Sequence, residues 1–363
     1  MKPQEITDII QKPLHFLSDI ITLLSLQGDE MNLLFKKARE IKEKHVGNEV
    51  YLRGLIEYSN ICAKDCHYCG IRKSNHECRR YRMTDADVLE AVHFACKNNI
   101  QSIVIQSGEL SSPEFVQCMT GLLENIRKYI GNDLGITLSC GEQSKETYER
   151  WKKAGATRYL LRIETTNREL YEKIHPKNKL HSFDSRLDAL KQIQKCGFQT
   201  GTGVMIGLPG QTVEDLASDI LFMHDMDIDM CGMGPYVESI NTPLYERKSE
   251  IPDAETRSDL TLKMIAVLRI VMKDINIAST TALQTLNPNG KKNALLVGAN
   301  VIMPNITPIK CKTDYNLYTG KPGSFNTREA ELENTFNIIS AAGTEPNNGK
   351  RGDSVRFLRR NNP

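Results

Sequence analysis

The sequence predicts an α/β fold: a (β/α)8 barrel of the TIM type with an N-terminal helical arm and a C-terminal helix. Short apolar or β-branched runs alternate with helical patterns along the chain, and no linker-like break interrupts them. The length of 363 residues suits one barrel of roughly 250 residues with additional terminal elements. Because 40% of the residues are hydrophobic, a chain of this size can bury a full core.

Eight runs have the apolar or β-branched composition of strands. They are residues 51–58, 102–106, 135–139, 158–163, 199–206, 230–235, 275–282 and 299–304. In a barrel of parallel strands, the loops that leave the carboxyl ends carry function. We therefore expect the site residues at the ends of these runs.

Helical patterns between the runs begin and end at capping residues. Predicted starts are a Ser or Thr before an acidic residue or proline, at Thr84, Ser112, Ser144 and Thr212. Predicted ends are a glycine in the left-handed position, at Gly155 and Gly197.

The predicted domains are the helical arm over residues 1–48, the barrel over 49–345 and a basic tail over 346–363. The tail is rich in Asn, Gly and Arg, so we expect it to be solvated.

Composition limits the class of partner. Lys and Arg number 47 against 45 Asp and Glu, a net charge of +2, which does not indicate nucleic acid or an anionic membrane as the partner. No apolar run approaches the ~20 residues of a membrane span, and the N-terminus is too polar for a secretory signal. We therefore expect a cytoplasmic protein that acts on a small molecule.

Three of the ten cysteines are grouped. Cys62, Cys66 and Cys69 form a C-x3-C-x2-C motif directly after the first predicted strand, whereas the other seven are separate in sequence and suit buried thiols. A closed zinc site needs a fourth ligand, and a c-type haem site needs a histidine where Gly70 stands. On a [4Fe–4S] cluster, three cysteines leave one iron open. The spacing therefore favours a cluster that also binds substrate.

With Tyr68 before its last cysteine, this motif resembles the signature of the radical S-adenosylmethionine (SAM) enzymes. The resemblance implies a [4Fe–4S] cluster held by Cys62, Cys66 and Cys69, with SAM bound to the open iron through its amino and carboxylate groups. It also implies that the reduced cluster cleaves SAM to a 5′-deoxyadenosyl radical. Gln106-Ser-Gly-Glu109, after the second strand, resembles the motif that holds the methionyl amino group.

The fourth predicted strand carries charge on one face. By the period of two, that face holds Arg158, Leu160, Arg162 and Glu164. Buried charges are costly unless they pair with one another or with a polar ligand. We therefore expect this face to meet a ligand.

Six further segments are informative together: residues 53–60, 80–84, 158–162, 207–212, 241–244 and 298–304. Over about residues 30–345, they resemble the HydE family of [FeFe]-hydrogenase maturases. The resemblance implies a barrel that receives a cysteine-bearing Fe(CO)2(CN) precursor from the partner maturase HydG. The radical attacks this precursor during assembly of the hydrogenase diiron subcluster, with HydF as a further partner.

The resemblance also assigns roles to individual positions. Implied SAM contacts are Tyr68, Gln106, Glu109, Ser139, Glu164 and Arg186. Implied substrate contacts are Thr137, Arg158, Arg162, Met230, Thr280, Thr281, Tyr315 and Tyr318. Arg158 and Arg162 are the expected anion anchors, and the two tyrosines belong to a segment expected to close the barrel mouth.

The chain departs from the family pattern at two points. No cysteine follows Cys311, so the second cluster that some members bind there is not expected. Ile163 stands where at least one relative is expected to have a histidine.

Two alternatives stay open from the sequence. One is a related radical SAM enzyme of the methylornithine synthase or biotin synthase type, acting on an amino acid or an aliphatic chain. The other is a non-catalytic carrier of an iron complex.

Overall fold

The computed structural model describes residues 1–13 and 16–361 and confirms the barrel. Its strands are β1 (Glu49–Leu52), β2 (Gly54–Ser59), β3 (Ser102–Ser107), β4 (Gly135–Ser139), β5 (Arg158–Leu160), β6 (Gln199–Thr202), β7 (Met205–Ile206), β8 (Met230–Cys231), β9 (Gly234–Pro235), β10 (Asn276–Ser279), β11 (Val301–Ile302) and β12 (Glu345–Asn347).

Helices surround the strands. They are α1 (Pro3–Gln11), α2 (Leu17–Leu24), α3 (Gly28–Val46), α4 (Asp85–Lys97), α5 (Pro113–Ile130), α6 (Lys145–Lys153), α7 (Arg168–Ile174), α8 (Phe183–Lys195), α9 (Val213–Asp225), α10 (Ala254–Val271), α11 (Thr281–Leu286), α12 (Gly290–Val297), α13 (Ile309–Lys312), α14 (Arg328–Ala341) and α15 (Val355–Asn361). Short 3₁₀ helices cover Lys179–His181 and Pro243–Glu250.

The ten-stranded sheet is parallel and curls back to its first strand. Its order is β12-β1-β11-β10-β8-β6-β5-β4-β3-β2, and β7 and β9 pair separately. Only Arg53 separates β1 from β2, so the two form one nearly continuous strand. Its first part, β1, pairs with β11, and its second part, β2, pairs with β3. Leu55 also bridges to Asn305, which continues the contact with the last barrel strand.

Each predicted strand run contains a strand, but three runs are split. Residues 51–58 span β1 and β2, 199–206 span β6 and β7, and 230–235 span β8 and β9. The last two splits lie side by side, and β7 pairs with β9. The two backbones are close there: a Cβ at Gly203 would be 2.1 Å from the carbonyl oxygen of Gly232. The prediction missed β12, because Glu-Pro-Asn has no strand signal.

The predicted helix caps are confirmed. Thr84, Ser112, Ser144 and Thr212 each accept a hydrogen bond from the third backbone N–H of the helix that they precede. Gly155 and Gly197 follow α6 and α8 with φ of +112° and +76°. No helix in the described parts of the chain is long and apolar enough to cross a membrane.

The N-terminal helices extend the core. α2 packs on α9 and α10, and α3 packs on α10 and α12. Leu23 and Leu34 are buried in the same cluster as the barrel. Lys42 is buried as well and donates to the carbonyl of Leu295 at 2.9 Å, and burial lowers the pKa of its ammonium to about 7.

The expectation of a solvated C-terminal tail is wrong for part of it: Gly352 and Ser354 are buried, whereas residues 348–350 and 358–361 are exposed. Asp353 contacts the buried Arg158 at the amino-terminal end of the barrel, here called the floor. α15 then lies against the outside, where Arg356 and Arg360 both pair with Asp227. The tail is ordered because its cations meet carboxylates on the strand-preceding turns. Residues 362 and 363 lie outside the described chain.

Candidate functional site

The carboxyl ends of the strands surround a cavity of about 280 Å³, here called the mouth. The structure brings most of the predicted site residues to its wall. These are Cys62, Cys66, Tyr68, Cys69, Gln106, Glu109, Ser139, Arg162, Glu164, Arg186, Tyr315 and Tyr318. Their positions follow from the fold, because strand ends and the loops after them converge at one face of a barrel.

The cysteine loop is irregular backbone that side chains brace. Arg80 donates from Nη1 to the carbonyls of Asn60 and Ile71, both at 2.7 Å. The loop also bonds to its surroundings, with His67 N donating to Ile174 O at 3.0 Å. A loop without regular structure needs such bonds, since its polar backbone groups are otherwise unsatisfied. The bracing fixes where the thiols lie.

The three thiols are free and suit a cluster. Burial raises the pKa of Cys66 to about 12 and also raises the pKa of Cys62 and Cys69, so a bound cation is needed to hold them as thiolates. No group of three or more His, Cys, Asp or Glu in the described chain could hold a single metal ion. A [4Fe–4S] cluster differs, because each thiolate binds a separate iron. The donor set therefore fits a cluster better than a mononuclear metal.

Four alternating charges lie beside the cysteine loop. Lys64 Nζ is 3.0 Å from Glu109 and 3.2 Å from Glu142. Arg186 is 3.3 Å from Glu109 through Nη2 and 2.8 Å from Glu142 through Nε. Burial raises the pKa of Glu142, and the neighbouring Arg186 opposes that shift. These four residues are called the charge box.

Sequence reasoning found Glu109 and Arg186 but missed Lys64 and Glu142. The available signals were weak: Lys64 lies between two motif cysteines, and Glu142 follows the third predicted strand by three residues. Nothing in the sequence indicated that these residues meet.

The end of β5 places a second ion pair in the mouth. Arg162 Nε donates to both oxygens of Glu164, at 3.1 and 3.0 Å, and its Nη groups donate to the carbonyls of Gly232 and Val204. Glu164 has φ of +69°, a strained value for a residue other than glycine. Ile163 between them is buried in the core. The predicted pairing of charges on this strand therefore holds for Arg162 and Glu164.

Two histidines behind the cysteine loop were not predicted. Tyr68 Oη lies 3.3 Å from His175 Nε2, and His175 Nδ1 lies 2.9 Å from the carbonyl of Tyr171. A carbonyl only accepts, so Nδ1 carries the hydrogen and the Tyr68 hydroxyl donates to Nε2. Burial lowers the pKa of His175 to about 3 and that of His181 to about 4. Both imidazoles are therefore neutral.

The prediction that Arg158 anchors substrate in the mouth is wrong. Arg158 begins β5, at the floor, and is fully buried. It donates to Ser102 at 2.8 Å, to the carbonyl of Arg351 at 2.7 Å and to Asp353 at 2.5 Å. Its charge is already compensated by the chain itself.

Four other expected substrate contacts also lie outside the mouth wall. Thr137 and Met230 line a separate, narrow cavity below Leu160, a residue that borders both spaces. Thr280 and Thr281 lie at the start of α11, where Ala282 lines the mouth instead. The barrel axis therefore carries a mouth and a smaller lower cavity.

The segment with Tyr315 and Tyr318 covers the mouth, as expected from its position. It is attached to the cysteine loop by a 2.8 Å hydrogen bond from Gly70 N to Leu317 O. Lys321 and Glu57 form a buried ion pair beneath it. These contacts hold the two tyrosines over the cavity.

Comparison with known proteins gives consistent matches. The model of the radical SAM superfamily matches residues 56–223. The [FeFe] hydrogenase maturase subunit HydE of Thermotoga maritima is 42% identical over 315 residues, 86% of each chain. The 3-methylornithine synthase of Methanosarcina acetivorans is 25% identical over 90% of this chain and 89% of its own.

Among solved structures, methylornithine synthase superposes with a TM-score of 0.79 over 95% of this chain and 97% of its own. At 23% identity, that likeness shows the fold alone.

Proposed function

Since this chain belongs to the HydE family of [FeFe] hydrogenase maturases within the radical SAM superfamily, we propose that it performs radical chemistry on an organometallic precursor of the hydrogenase diiron subcluster. It is a radical SAM enzyme of hydrogenase maturation. The relation to 3-methylornithine synthase, at 25% identity against 42%, is more distant. An amino-acid mutase is therefore the weaker alternative.

The family implies a [4Fe–4S] cluster and SAM as cofactors. Cys62, Cys66 and Cys69 would hold three irons, which leaves the fourth iron for the amino and carboxylate groups of SAM. When bound and reduced, these cofactors supply a 5′-deoxyadenosyl radical. The observation that carries the proposal is that the three thiols share one cavity with Lys64, Glu109 and Arg186 of the charge box and with the Arg162–Glu164 pair.

This chain's own residues would bind and enclose the reactants. Glu109 and Arg186 offer opposite charges to the zwitterionic methionyl end of SAM. Tyr315 and Tyr318 exclude water from the cavity, which strengthens each charge interaction inside it. Arg162, whose side chain is 30% exposed, provides a cation for an anionic iron species with cyanide and carboxylate groups.

The partners follow from this assignment. We infer that the substrate is the cysteine-bearing Fe(CO)2(CN) precursor made by HydG, and that the radical attacks its cysteine sulfur. The product then contributes to the diiron unit assembled with HydF.

The first test concerns the cluster. Anaerobic protein is reconstituted with iron and sulfide, reduced with dithionite and given SAM, and 5′-deoxyadenosine and iron are counted. We expect about four irons per chain and cleavage product. Cys62→Ala should lose the absorbance near ~400 nm and all cleavage. Cys96→Ala, a cysteine on α4 away from the mouth, is the matched control.

Two results would contradict the assignment. One is an unchanged cluster in Cys62→Ala. The other is a wild-type protein that holds its cluster but makes no 5′-deoxyadenosine even with the HydG product, which would indicate the carrier alternative.

The second test concerns the substrate. Arg162→Gln should keep most SAM cleavage but lose most maturation of hydrogenase in an assay with HydG and HydF, because the cation for the precursor is removed while the new amide can still donate to Glu164. Arg150→Gln, on the exposed face of α6, is the control. Equal loss of SAM cleavage and maturation would show that Arg162 is needed for the cofactor site instead.

A further inference from the structure

Glu142 contacts the mouth only through other residues. Its carboxylate lies 3.2 Å from Lys64 Nζ and 2.8 Å from Arg186 Nε, and both cations line the mouth. Glu142 itself borders a polar surface pocket of about 530 Å³ on the other side of them. Any effect of Glu142 on a molecule in the mouth must therefore pass through Lys64 and Arg186.

The backbone on both sides of this carboxylate is fixed. Tyr159 donates its hydroxyl hydrogen to the carbonyl of Gly141 at 2.8 Å. Gln143 N donates to the hydroxyl of Tyr148 at 3.0 Å, and its side-chain amide donates to the carbonyl of Leu110 at 2.8 Å. Both tyrosines are buried. A carboxylate held this way can set the position of its partners.

The two cations are shared by two carboxylates. Lys64 and Arg186 also lie within ion-pair distance of Glu109, at 3.0 and 3.3 Å. Arg186 Nε and Glu142 lie at ion-pair distance but are not aligned for a hydrogen bond. Glu142 therefore holds Arg186 by electrostatic attraction. Without Glu142, two cations would face the single carboxylate of Glu109, which would draw that carboxylate away from any other partner.

We propose that Glu142 is a positioning residue for SAM, which holds Arg186 and Lys64 in place so that Glu109 and Arg186 stay available to the cofactor. The proposal rests on the proposed function, since it takes SAM as the ligand of Glu109 and Arg186. It adds a residue outside the cavity to the determinants of cofactor affinity.

Equilibrium dialysis of SAM against reconstituted protein tests this. Glu142→Gln should weaken SAM binding by about tenfold, and Glu142→Asp, which keeps the charge, should restore part of the loss. Iron content and cluster absorbance should equal those of the wild type. In SAM cleavage, KM for SAM should rise while kcat stays within about twofold. Glu149→Gln, an exposed carboxylate on α6 that pairs with Lys145, is the matched control.

The outcomes separate the two proposals. Unchanged SAM affinity in Glu142→Gln, beside normal wild-type binding, overturns this inference alone. A fall in iron content or in kcat with KM unchanged also overturns it, because the role would then be structural. A wild-type protein that holds its cluster and binds no SAM overturns the proposed function and this inference together.

Discussion

The mouth and the floor of the barrel both hold arginines, but the charges of these arginines are compensated differently. In the mouth, Arg162 and Arg186 meet side-chain carboxylates that border an open cavity. At the floor, Arg53 and Arg158 donate to the C-terminal segment, through the carbonyl of Gly352 and the carboxylate of Asp353. Arginines therefore line the ligand cavity at one end of the barrel and bind the C-terminal segment at the other.

This contrast shows which charges are available to a ligand. Arg158 is fully buried among its partners at the floor, so removing it leaves those partners without their cation and destabilises the fold. A guanidinium that pairs with a carboxylate beside a cavity can also donate hydrogen bonds to a second anion in that cavity. Mutations at the floor should therefore change stability, and mutations in the mouth should change binding.

The largest expected effect is at the floor. Arg158→Ala should lower the free energy of unfolding by about 3 kcal/mol, because it removes a fully buried cation and leaves Asp353 with Gln199 and the more distant Arg351. Urea unfolding measures this loss, and SAM affinity should not change. Arg150→Ala, an exposed arginine, should change stability by less than about 0.5 kcal/mol. A stable Arg158→Ala variant that fails to bind SAM would contradict the assignment of Arg158 to stability.

A glycine at each end provides a matched pair of intermediate effects. At Gly352, with φ of +64°, a Cβ would lie 2.6 Å from the Tyr51 ring, so Gly352→Ala should cost about 2 kcal/mol of stability. At Gly141, with φ of +75°, a Cβ would lie 1.9 Å from Glu109 Cγ.

Gly141→Ala should therefore displace Glu109 and weaken SAM binding by tenfold or about 1.4 kcal/mol, with a smaller loss of stability than Gly352→Ala. Unfolding curves and equilibrium dialysis on both variants check this. If both variants lose stability equally and neither loses SAM affinity, the two ends do not differ as described.

A further expected effect is a pH dependence at His175, behind the cysteine loop. Burial lowers the pKa of His175 to about 3. The stability that the neutral imidazole contributes is therefore complete above the unfolded pKa near 6.5 and is lost as pH falls toward 3. Between pH 6.5 and 5 this loss is about 2 kcal/mol at most. Unfolding free energies of wild type and His175→Asn at pH 7 and 5 isolate it.

Asp353 at the floor should behave differently over the same range. Although burial opposes it, the Arg158 guanidinium keeps the pKa of Asp353 below its usual 3.8. This stabilisation is present above pH 3.8 and is lost only as pH falls through the lower folded value. Asp353→Asn should therefore show the wild-type change between pH 7 and 5. A variant that removes that change would place the acid sensitivity at the floor instead.

Much of the fold and most of the mouth could be predicted from the sequence. The period of apolar runs gave the barrel, and the caps at Thr84 and Thr212 gave helix starts. The cysteine spacing and the resemblance placed twelve of the expected site residues where the structure brings them together.

The failures have physical causes. The period of two puts Arg158 and Arg162 on one face, but four residues along a strand are roughly 13 Å, enough to separate floor from mouth. The alternation of side chains along a strand predicts which face a residue lies on, but not its height along the barrel axis. Lys64 and Glu142 meet only because two strand-end loops converge, which no local signal encodes.

The alternation of strands and helices, the cysteine motif and the family resemblance are encoded in local spacing and can be found without coordinates. Which arginine faces a ligand, and which is closed by the C-terminal segment, is set by the tertiary fold. That difference depends on contacts between residues far apart in sequence, such as Arg158 and Asp353, which are 195 positions apart. Such contacts form because burying an arginine requires a partner, and the fold supplies the one within reach.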